Sequence, residues 1–582
     1  MSQNTDNVVG MQNCDKYARE YFMPPVTSLK WTQKEYITEA PMWCSVDLRD
    51  GNQALVVPMN LEEKLQYFQL LVSIGFKEIE VGFPAASETE FAFLRTLIEQ
   101  DLIPDDVTIQ VLTQSRDHII RKTFEALHGA KRAIVHLYNS TSRAQREQVF
   151  RKSRQEIIDI AVSGAELVQA CAAQTPGNFQ FQYSPESFTG TEMDFALDIC
   201  NHVLDVWRPT PEHKVIINLP ATVSMSMPHV YASQIEFMSE HLKHRENVTL
   251  SVHPHNDRGT GVADAELGVL AGAQRVEGTL FGNGERTGNV DIVTLALNLF
   301  AHGVNPRLNF ANLPAIRAAY ERLTNMEVGK RHPYAGELVF TAFSGSHQDA
   351  IAKGMKWREE DERRYWSVPY LLIDPKDVGR AYEGDIIRIN SQSGKGGIGY
   401  ILEQHFGIDL PAEMREGLGY RVKSVSDRLH KELLPREIYD IFIEEFVNLN
   451  APVEFVGYHV ANQVDYLTSV TVRIDGCVME WTSTGNGRLD AISRAIQQNL
   501  GVAYSNLVYK EHAKGVGSAS QAVSYIGITS SDGTRHWGCG MDADIFTSSV
   551  KALFSVVNKL RPAVSDLVQE RSSAGPIRSL YG

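Results

Sequence analysis

Two histidines close a short apolar run at residues 251–257, which read SVHPHND. In a β-strand the side chains at positions i and i+2 point to the same side, so His253 and His255 would project together from a strand end. Two imidazoles provide half of a metal site, and hydrogen bonds alone satisfy such a pair equally well. A metal site therefore requires oxygen ligands from elsewhere in the chain.

Residues that follow other apolar runs offer such oxygens. Asp50 lies in DLRDGNQ, and Asn289 ends the stretch GNGERTGN. A carboxylate, an amide oxygen and two imidazoles leave coordination positions open to water or substrate, which is typical of a catalytic site. Arg49, beside Asp50, is suited to polarise a carbonyl oxygen there, and a surface ion pair is its alternative role.

The elements that must position these residues alternate regularly between residues 41 and 300. Short β-branched or apolar runs are followed by amphipathic stretches, a pattern that predicts βα units. The predicted strands are MWCSVDL, EIEVGFP, TIQVLTQ, RAIVHLY, FQFQYSPE, VIINLPAT, VTLSVHPH and RVEGTLFG. Eight units predict a closed (β/α)8 TIM barrel, whose first, seventh and eighth strands are neighbours. An open doubly wound sheet is the alternative, but it would carry a GxGxxG turn where LRDGNQ stands.

The composition limits the class of protein. A chain of 582 residues is too long for one hydrophobic core, so we expect about two or three domains. The formal net charge of -15 disfavours nucleic acid and anionic membranes as partners. The six cysteines are scattered, and the sequence shows neither a secretion signal nor an apolar run long enough to span a membrane. A cytoplasmic location fits this composition.

The sequence predicts an α/β protein of four segments. Residues 1–40 form an N-terminal extension, 41–330 the barrel, 331–440 a connector, and 441–582 a C-terminal α+β domain. The connector is rich in charged stretches such as KWREEDERRYW, with helical patterns around YILEQHF and SVSDRLHKELL. We expect it to link the other segments rather than to form a core.

The last segment contains an internal repeat. The copies are YLTSVTVRIDGCVMEWTSTGNGRLDAISRAIQQNL and AVSYIGITSSDGTRHWGCGMDADIFTSSVKALFSVVNKL. Each predicts a strand, an Asp-Gly turn, a second strand, a GxG turn and an amphipathic helix, hence a pseudo-symmetric module. Gly485 and Gly487 form one GxG turn, and Gly538 and Gly540 the other. Such turns either hold a carboxylate on backbone N–H groups or simply start a helix.

Seven motifs in a fixed order carry a family resemblance. LRDGNQ, VGFP, YNSTS, YSPESF, NLPATV, SVHPHND and GNGERTGN resemble the motifs of the long-type 2-isopropylmalate synthases, metal-dependent (β/α)8 barrel enzymes with a C-terminal regulatory domain. FSGSHQDAI, WSVPY, NSQSGKGG and the repeated module extend the resemblance over all but roughly the first thirty residues.

The resemblance implies an acyl transfer in which acetyl-CoA condenses with 2-oxoisovalerate (3-methyl-2-oxobutanoate) to give 2-isopropylmalate and CoA, the committed step of leucine biosynthesis. It makes Asp50, His253 and His255 ligands of a divalent metal (zinc, magnesium or manganese), with Asn289 in or beside the coordination shell. Arg49 would stabilise the oxyanion that grows on the keto group. The residues implied to line the oxo acid pocket are His136, Ser184, Glu186 and Thr222.

Residues of the connector are implied to serve the second substrate. His347 in FSGSHQDAI and Tyr370 in WSVPY would lie near acetyl-CoA, contributed by the partner subunit of a homodimer. A neutral imidazole takes protons near pH 7, so His347 would help to deprotonate the acetyl methyl group. His347 or Glu285 would activate the water that hydrolyses the thioester.

The resemblance further implies that the C-terminal domain binds leucine, as an allosteric inhibitor, between dimer-related modules. The implied effector-binding residues are Gly485, Asn486, Gly487, Gly538 and Gly540. Helix N-termini suit the carboxylate of an amino acid, and the apolar faces beside them suit its side chain. Arg488 stands where many relatives carry proline, which bears on the affinity for the effector.

Three other functions fit parts of the sequence. Homocitrate and citramalate synthases share the metal motifs and differ mainly in the oxo acid pocket. A leucine sensor with an inactive barrel would retain only the C-terminal module. The intact Arg49, Asp50, His253, His255 and His347 count against the sensor, because a decayed site should have lost some of these residues.

Overall fold

The structure is a computed structural model that describes residues 14–342, 344–360, 365–382, 395–429, 433–462, 466–515 and 520–560. It divides into two compact units. The first comprises Met1–Val339 and Ile373–Ala381, and the second comprises Phe340–Leu372 and Tyr382–Gly582. Within the described ranges, no helix has the length and apolarity needed to cross a membrane.

The first unit contains the predicted closed barrel of eight parallel strands. Each strand pairs with the next, and β1 pairs in parallel with β8, which closes the sheet. The strands are β1 (Met42–Ser45), β2 (Glu78–Gly82), β3 (Thr108–Gln114), β4 (Arg132–Ser140), β5 (Asn178–Glu186), β6 (Val215–Ala221), β7 (Val248–Pro254) and β8 (Arg275–Gly278). The TIM barrel prediction is therefore confirmed.

Helices follow the strands around the barrel and continue beyond it. They are α1 (Leu61–Ile74), α2 (Glu88–Glu99), α3 (Asp117–Leu127), α4 (Arg154–Gln174), α5 (Met193–Trp207), α6 (Pro228–His241), α7 (Gly261–Leu270), α8 (Ile292–Ala301) and α9 (Leu313–Thr324). Helix α1 shows how the sequence sets such an element. Asn60 and Glu63 form a capping box at its start, and Gly75 ends it with φ 112°, a conformation that glycine adopts readily.

The interior of the barrel is polar, whereas the middle of a TIM barrel is commonly filled with branched aliphatic side chains. Glu80, Gln110, Gln182, Arg275 and Glu277 are all fully buried there. Buried polar groups are stable only when they are hydrogen-bonded, so these side chains must satisfy one another. The polar interior lies directly beneath the residues predicted to bind metal and substrate.

The second unit begins with helices that lie in the predicted connector. They are α10 (Gly345–Glu359), α11 (Lys395–Phe406), α12 (Ala412–Leu429) and α13 (Pro435–Phe446), the last of which extends past the predicted boundary at residue 440. The helical pattern around YILEQHF is confirmed, and that of SVSDRLHKELL is confirmed as far as Leu429, since residues 430–432 lie outside the described residues. The expectation that this segment forms no core is wrong for its second half, because Leu402, Leu418 and Ile438 are buried in one apolar cluster with Tyr525 and Cys539.

In the described residues from Glu454 to Val557, the C-terminal module has two three-stranded antiparallel sheets and two helices. Its elements are β9 (Glu454–Asn462), β10 (Leu467–Ile474), β11 (Cys477–Ser483), α14 (Arg488–Leu500), β12 (Tyr504–Lys514), β13 (Gln521–Ser530), β14 (Arg535–Asp542) and α15 (Ile545–Val557). The predicted repeat is present, and each copy carries one strand more than expected, β9 and β12. Val470, Ile492, Ile526 and Leu553 belong to one apolar core that both copies share.

The prediction that Gly538 and Gly540 form a turn that opens a helix is wrong. Both residues lie inside β14, and α15 starts after Asp544, whose side chain accepts the N–H of Thr547. A Cβ on Gly540 would lie 1.9 Å from the Ser548 carbonyl oxygen. These glycines therefore allow α15 to pack closely on the strand.

Candidate active site

The predicted metal ligands meet at the mouth of the barrel. Asp50 belongs to a π-helical turn, Asp47–Gly51, that follows β1, and the backbone N–H of Asp50 donates to the Val46 carbonyl at 2.9 Å. Asp50 Oδ2 lies 3.4 Å from His253 Nε2 and 3.6 Å from His255 Nε2. One ligand atom from each of the three residues falls within 4.8 Å of the others, and all three side chains are buried.

The donor set fits a divalent cation. Asp50 Oδ2 is buried without a hydrogen-bond partner in the described part of the chain, although a buried carboxylate oxygen normally has one. The ion pairs around it link two arginines, Arg49 and Arg275, with four carboxylates, those of Asp50, Glu78, Glu80 and Glu277. With neutral histidines this cluster carries two excess negative charges, which a divalent cation would balance.

Asn289 joins the same group from the loop after β8. Its Oδ1 lies 2.8 Å from His253 Nε2, while its Nδ2 donates to the Asn283 carbonyl at 3.0 Å. The second bond directs the amide oxygen rather than the nitrogen toward the histidine. Asn289 therefore lies beside the three predicted ligands, as the sequence predicts.

The two histidines have opposite pKa shifts. Burial opposes the charge on His253, but the nearby carboxylates of Asp50 and Glu277 raise its pKa to about 9. Burial and the neighbouring charge of His253 lower the pKa of His255 to about 4. The pKa of Asp50 is held well below its usual range by Arg49, against the effect of burial. Before a cation binds, the group therefore holds one imidazole proton, on His253, at neutral pH.

Arg49 is fixed by two carboxylates. Its Nη1 donates to Asp50 Oδ1 at 2.8 Å, and its Nε donates to Glu80 Oε2 at 2.5 Å. Glu80, which is fully buried, also contacts His136 Nδ1 at 2.8 Å. The alternative of a surface ion pair is excluded, because Arg49 is only 12% exposed at its side chain. The guanidinium is thus held in a set orientation beside the predicted metal ligands.

A cavity of about 160 Å³ opens beside Arg49 and the predicted metal ligands. Its lining residues come from seven of the eight strand ends and the loops that follow them. They are Arg49, Asp50, Gln53, Leu112, His136, Tyr138, Ser184, Glu186, Asn218, Pro220, Thr222, His253, His255, Glu285 and Arg286. Every residue implied for the oxo acid pocket is among them.

Hydrogen bonds position the residues implied for the oxo acid. His136 Nε2 lies 2.7 Å from Ser184 Oγ, and Asn218 Nδ2 donates to the same oxygen at 3.0 Å. Thr222 Oγ1 accepts the backbone N–H of Ser187 at 2.9 Å. Glu186 accepts a hydrogen bond from Ser140. The polar side of the cavity is therefore rigidly arranged, and Leu112 and Pro220 give it an apolar side.

Glu285 lies at the more exposed rim of the cavity. Its Oε1 accepts from Gln53 Nε2 at 2.9 Å, and about half of its side chain is exposed. Arg286 lies next to it and donates to Asp257 Oδ1 at 2.7 Å. Glu285 therefore has access to both the cavity and solvent.

His347 and Tyr370 belong to the second unit. Their rings stack at a centroid distance of 4.1 Å with an interplanar angle of 25°. The structure thus brings together two residues that the sequence pairs only by family resemblance. Their role toward acetyl-CoA stays a prediction.

The turn before α14 holds a carboxylate from its own chain. The backbone N–H of Asn486 donates to Asp490 Oδ2 at 2.9 Å. Gly485 is packed against the backbone N–H of Ala491, which a Cβ would approach to 2.5 Å. Gly487 has open space around it. The effector-binding role of these residues stays a prediction.

The sequence reasoning missed the buried side chains that support the site. Glu80, Gln110, Asn218 and Glu277 hydrogen-bond to one another or to the site residues. A signal was present, since EIEVG and RVEGT place a charged residue inside apolar strands that are buried on both faces. Arg286, on the cavity rim, was missed as well.

Comparisons with known proteins cover nearly the whole chain. Residues 40–319 match the HMGL-like family, 337–403 the alpha-isopropylmalate synthase post-catalytic domain-like family, and 432–561 the LeuA allosteric (dimerisation) domain. The 2-isopropylmalate synthase of Desulfitobacterium hafniense is 72% identical over 94% of this chain and 99% of that protein. The 2-isopropylmalate synthase of Helicobacter hepaticus is 60% identical over the same shares of the two chains. A solved hydroxymethylglutaryl-CoA lyase from Pseudomonas aeruginosa aligns with TM-score 0.42 and 17% identity over 51% of this chain and 97% of that one.

Proposed function

The chain belongs to the 2-isopropylmalate synthase family, and we propose that it condenses acetyl-CoA with 2-oxoisovalerate and hydrolyses the thioester to give 2-isopropylmalate and CoA. The observation that carries this proposal is the orphaned Asp50 Oδ2 between two histidines, at a cavity that also presents Arg49. Such an arrangement suits a chelating 2-oxo acid, whose keto oxygen and carboxylate lie side by side.

Asp50, His253 and His255 would hold a divalent cation, with Asn289 beside them. When bound, the cation supplies Lewis acidity toward the keto oxygen, which is worth several kcal/mol in such reactions. The chain supplies a second source of positive charge in Arg49. Because Glu80 and Asp50 fix the guanidinium, it needs no rearrangement when negative charge develops on that oxygen.

The residues that line the cavity support 2-oxoisovalerate as the oxo acid. Ser184, His136 and Thr222 offer hydrogen bonds on its polar side, while Leu112 and Pro220 provide apolar contact for an isopropyl group. A charged 2-oxoglutarate side chain would meet Glu186, whose carboxylate lines the same cavity. These features favour 2-oxoisovalerate over the substrate of a homocitrate synthase.

The acetyl methyl group must lose a proton, and we assign His347 a part in that step, with Tyr370 stacked against it. Glu285 or His347 would then take a proton from the water that attacks the thioester. We assign the His347–Tyr370 pair to the partner subunit of a homodimer. The match of residues 432–561 to the dimerisation domain supports this assignment.

The same match supports feedback inhibition by leucine at the C-terminal module. The shared apolar core of the module connects α14 and α15, so a ligand bound at one copy would act on the other through packed side chains. The expected result is lower CoA release in the presence of leucine and unchanged release in the presence of a polar amino acid such as serine.

CoA release by the full-length protein tests the proposal. We expect release with acetyl-CoA and 2-oxoisovalerate, slower release with pyruvate, and little with 2-oxoglutarate. Chelation should abolish the activity, and added divalent metal should restore it. A preference for 2-oxoglutarate or pyruvate would instead identify a homocitrate or citramalate synthase, and leucine binding without CoA release would identify a sensor.

A further inference from the structure

We propose that Glu277 is a positioning residue that determines which ring nitrogen of His253 carries hydrogen, and so leaves Nε2 available to a cation. This inference rests on the metal site in the proposed function and concerns a residue that does not line the cavity. Glu277 lies on β8, one layer beneath the predicted ligands, and is fully buried.

Five donors converge on the Glu277 carboxylate. Oε1 accepts from Gln110 Nε2 at 2.9 Å, Gln182 Nε2 at 2.7 Å and Arg275 Nη1 at 2.7 Å. Oε2 accepts from Asn218 Nδ2 at 3.1 Å and lies 2.8 Å from His253 Nδ1. No hydrogen-bond acceptor faces this carboxylate among the described residues. The position therefore requires a group that only accepts.

The orientation of the surrounding amides is itself fixed. Gln110 Oε1 accepts from Arg275 Nη2 at 2.8 Å, so its Nε2 must point toward Glu277 and toward Glu80, which lies 3.0 Å away. Arg275 in turn donates to Glu78 Oε2 at 2.5 Å. A guanidinium has no acceptor, so this side of the network cannot reverse.

The consequence for His253 follows from its two nitrogens. A neutral imidazole carries hydrogen on one nitrogen and a lone pair on the other. Because Glu277 accepts only, hydrogen is held on Nδ1, and the lone pair must lie on Nε2 once that nitrogen has lost its proton. Nε2 is the atom that faces Asp50 Oδ2 and Asn289 Oδ1. The opposite tautomer would turn a lone pair toward the Glu277 carboxylate.

The variant E277Q breaks this arrangement with little change in volume. The new amide must direct its NH2 to one of the two sides of the former carboxylate. On one side it would face the donors of Gln110, Gln182 and Arg275, and on the other side those of Asn218 and His253. In both cases the NH2, a donor, faces other donors. If the NH2 faces His253, hydrogen moves to Nε2 and blocks the cation. E78Q is the matched control, because it removes the same charge from Arg275 without touching His253.

The test is Zn²⁺ binding to chelator-treated full-length protein, measured by calorimetry in the absence of substrates. We expect E277Q to bind Zn²⁺ about 10- to 100-fold more weakly than wild type, as outer-shell losses do at other metal sites. E78Q should retain most of the wild-type affinity, because it removes one charge from the cluster but leaves the contact between His253 Nδ1 and Glu277 in place. The visible absorption bands of bound Co²⁺, which report its ligand set, should change in E277Q and not in E78Q.

A second variant keeps the test decisive if E277Q fails to fold. E277D retains the charge but withdraws the carboxylate from Nδ1, so its Zn²⁺ affinity should fall between those of wild type and E277Q. Wild-type affinity in a folded E277Q or E277D protein would overturn the inference. A different outcome would overturn only the proposed function. In that outcome the wild type binds Zn²⁺ and the variants bind it with the expected affinities, but the wild type releases no CoA from acetyl-CoA and 2-oxoisovalerate.

Discussion

The interior of the barrel holds Arg275, Glu277 and Gln110, whereas the core shared by the two C-terminal sheets holds Val470, Ile526 and Leu553. The barrel interior is stabilised by directional hydrogen bonds, and each polar group there depends on particular partners. The C-terminal core is stabilised by non-directional apolar contact. The difference indicates that the polar groups inside the barrel position the residues of the site above them. The apolar core of the C-terminal module instead stabilises the packing of that module.

The largest effect is expected at the predicted metal ligands. D50A removes the carboxylate that faces both histidines and also frees Arg49 from one of its two partners. We expect kcat/KM for CoA release to fall on the order of 1000-fold, since a lost cation forfeits several kcal/mol of charge stabilisation. Steady-state kinetics checks this. E62A, on the outer side of α1, is the control and should retain wild-type kinetics.

A glycine in the C-terminal module should affect stability rather than chemistry. In G540A the new Cβ would lie 1.9 Å from the Ser548 carbonyl oxygen and 2.5 Å from the Ala552 nitrogen. Since backbone atoms cannot yield easily, we expect a loss of about 3 kcal/mol in the stability of the module, the upper part of the usual cost of overpacking. Denaturant unfolding measures this loss.

The control for that substitution is G487A, because Gly487 has extended backbone and nothing within 4 Å of its Cβ position. It should lose no more than about 1 kcal/mol, the cost of alanine at the N-cap of α14. Equal stability of G540A and wild type would show that α15 does not depend on close contact with β14.

A polar-to-apolar change should harm the barrel interior. Q110L removes the side chain that donates to both Glu80 and Glu277 and accepts from Arg275. Because three buried charged groups lose a partner, we expect a loss of about 1–3 kcal/mol in stability. Thermal unfolding checks the direction. A more stable Q110L protein would break the contrast between the polar barrel interior and the apolar module.

The smallest effect concerns pH. The pKa of His253 is raised to about 9 and that of His255 is lowered to about 4, so between these values a cation must displace one proton, from His253. The affinity for Zn²⁺ should therefore rise about tenfold per pH unit from pH 6 to 8 and level off above about 9. Calorimetry at several pH values measures the slope. A hundredfold rise per unit would mean that both histidines are protonated in the empty site.

Local patterns were enough to predict the barrel and the meeting of Asp50, His253 and His255. Each strand and helix leaves its own periodicity in the sequence, and the spacing of His253 and His255 directly implies a shared side. The closure of the barrel then brings Asp50 next to them. These inferences use one element at a time together with a known topology, and the structure confirms that the three residues converge.

The remaining features depend on contacts between distant parts of the chain. Gln110 and Glu277 are 167 residues apart, and no local pattern pairs them. The GxG sequence at Gly538 and Gly540 looks the same in a strand as in a turn, because glycine is compatible with both. Only the approach of α15 decides between the two. Tertiary packing therefore determines the buried pairing of Gln110 with Glu277, which the sequence pattern left open, and the strand conformation of Gly538 and Gly540, which it misassigned.

The most direct measurement of the central claim is the metal content of the full-length protein, taken together with its rate of CoA release from acetyl-CoA and 2-oxoisovalerate. We predict one divalent cation bound per chain in the wild type and none at this site in D50A, with activity that disappears on chelation and returns with added metal. Metal-free wild-type protein that released CoA at the undiminished rate would contradict the account.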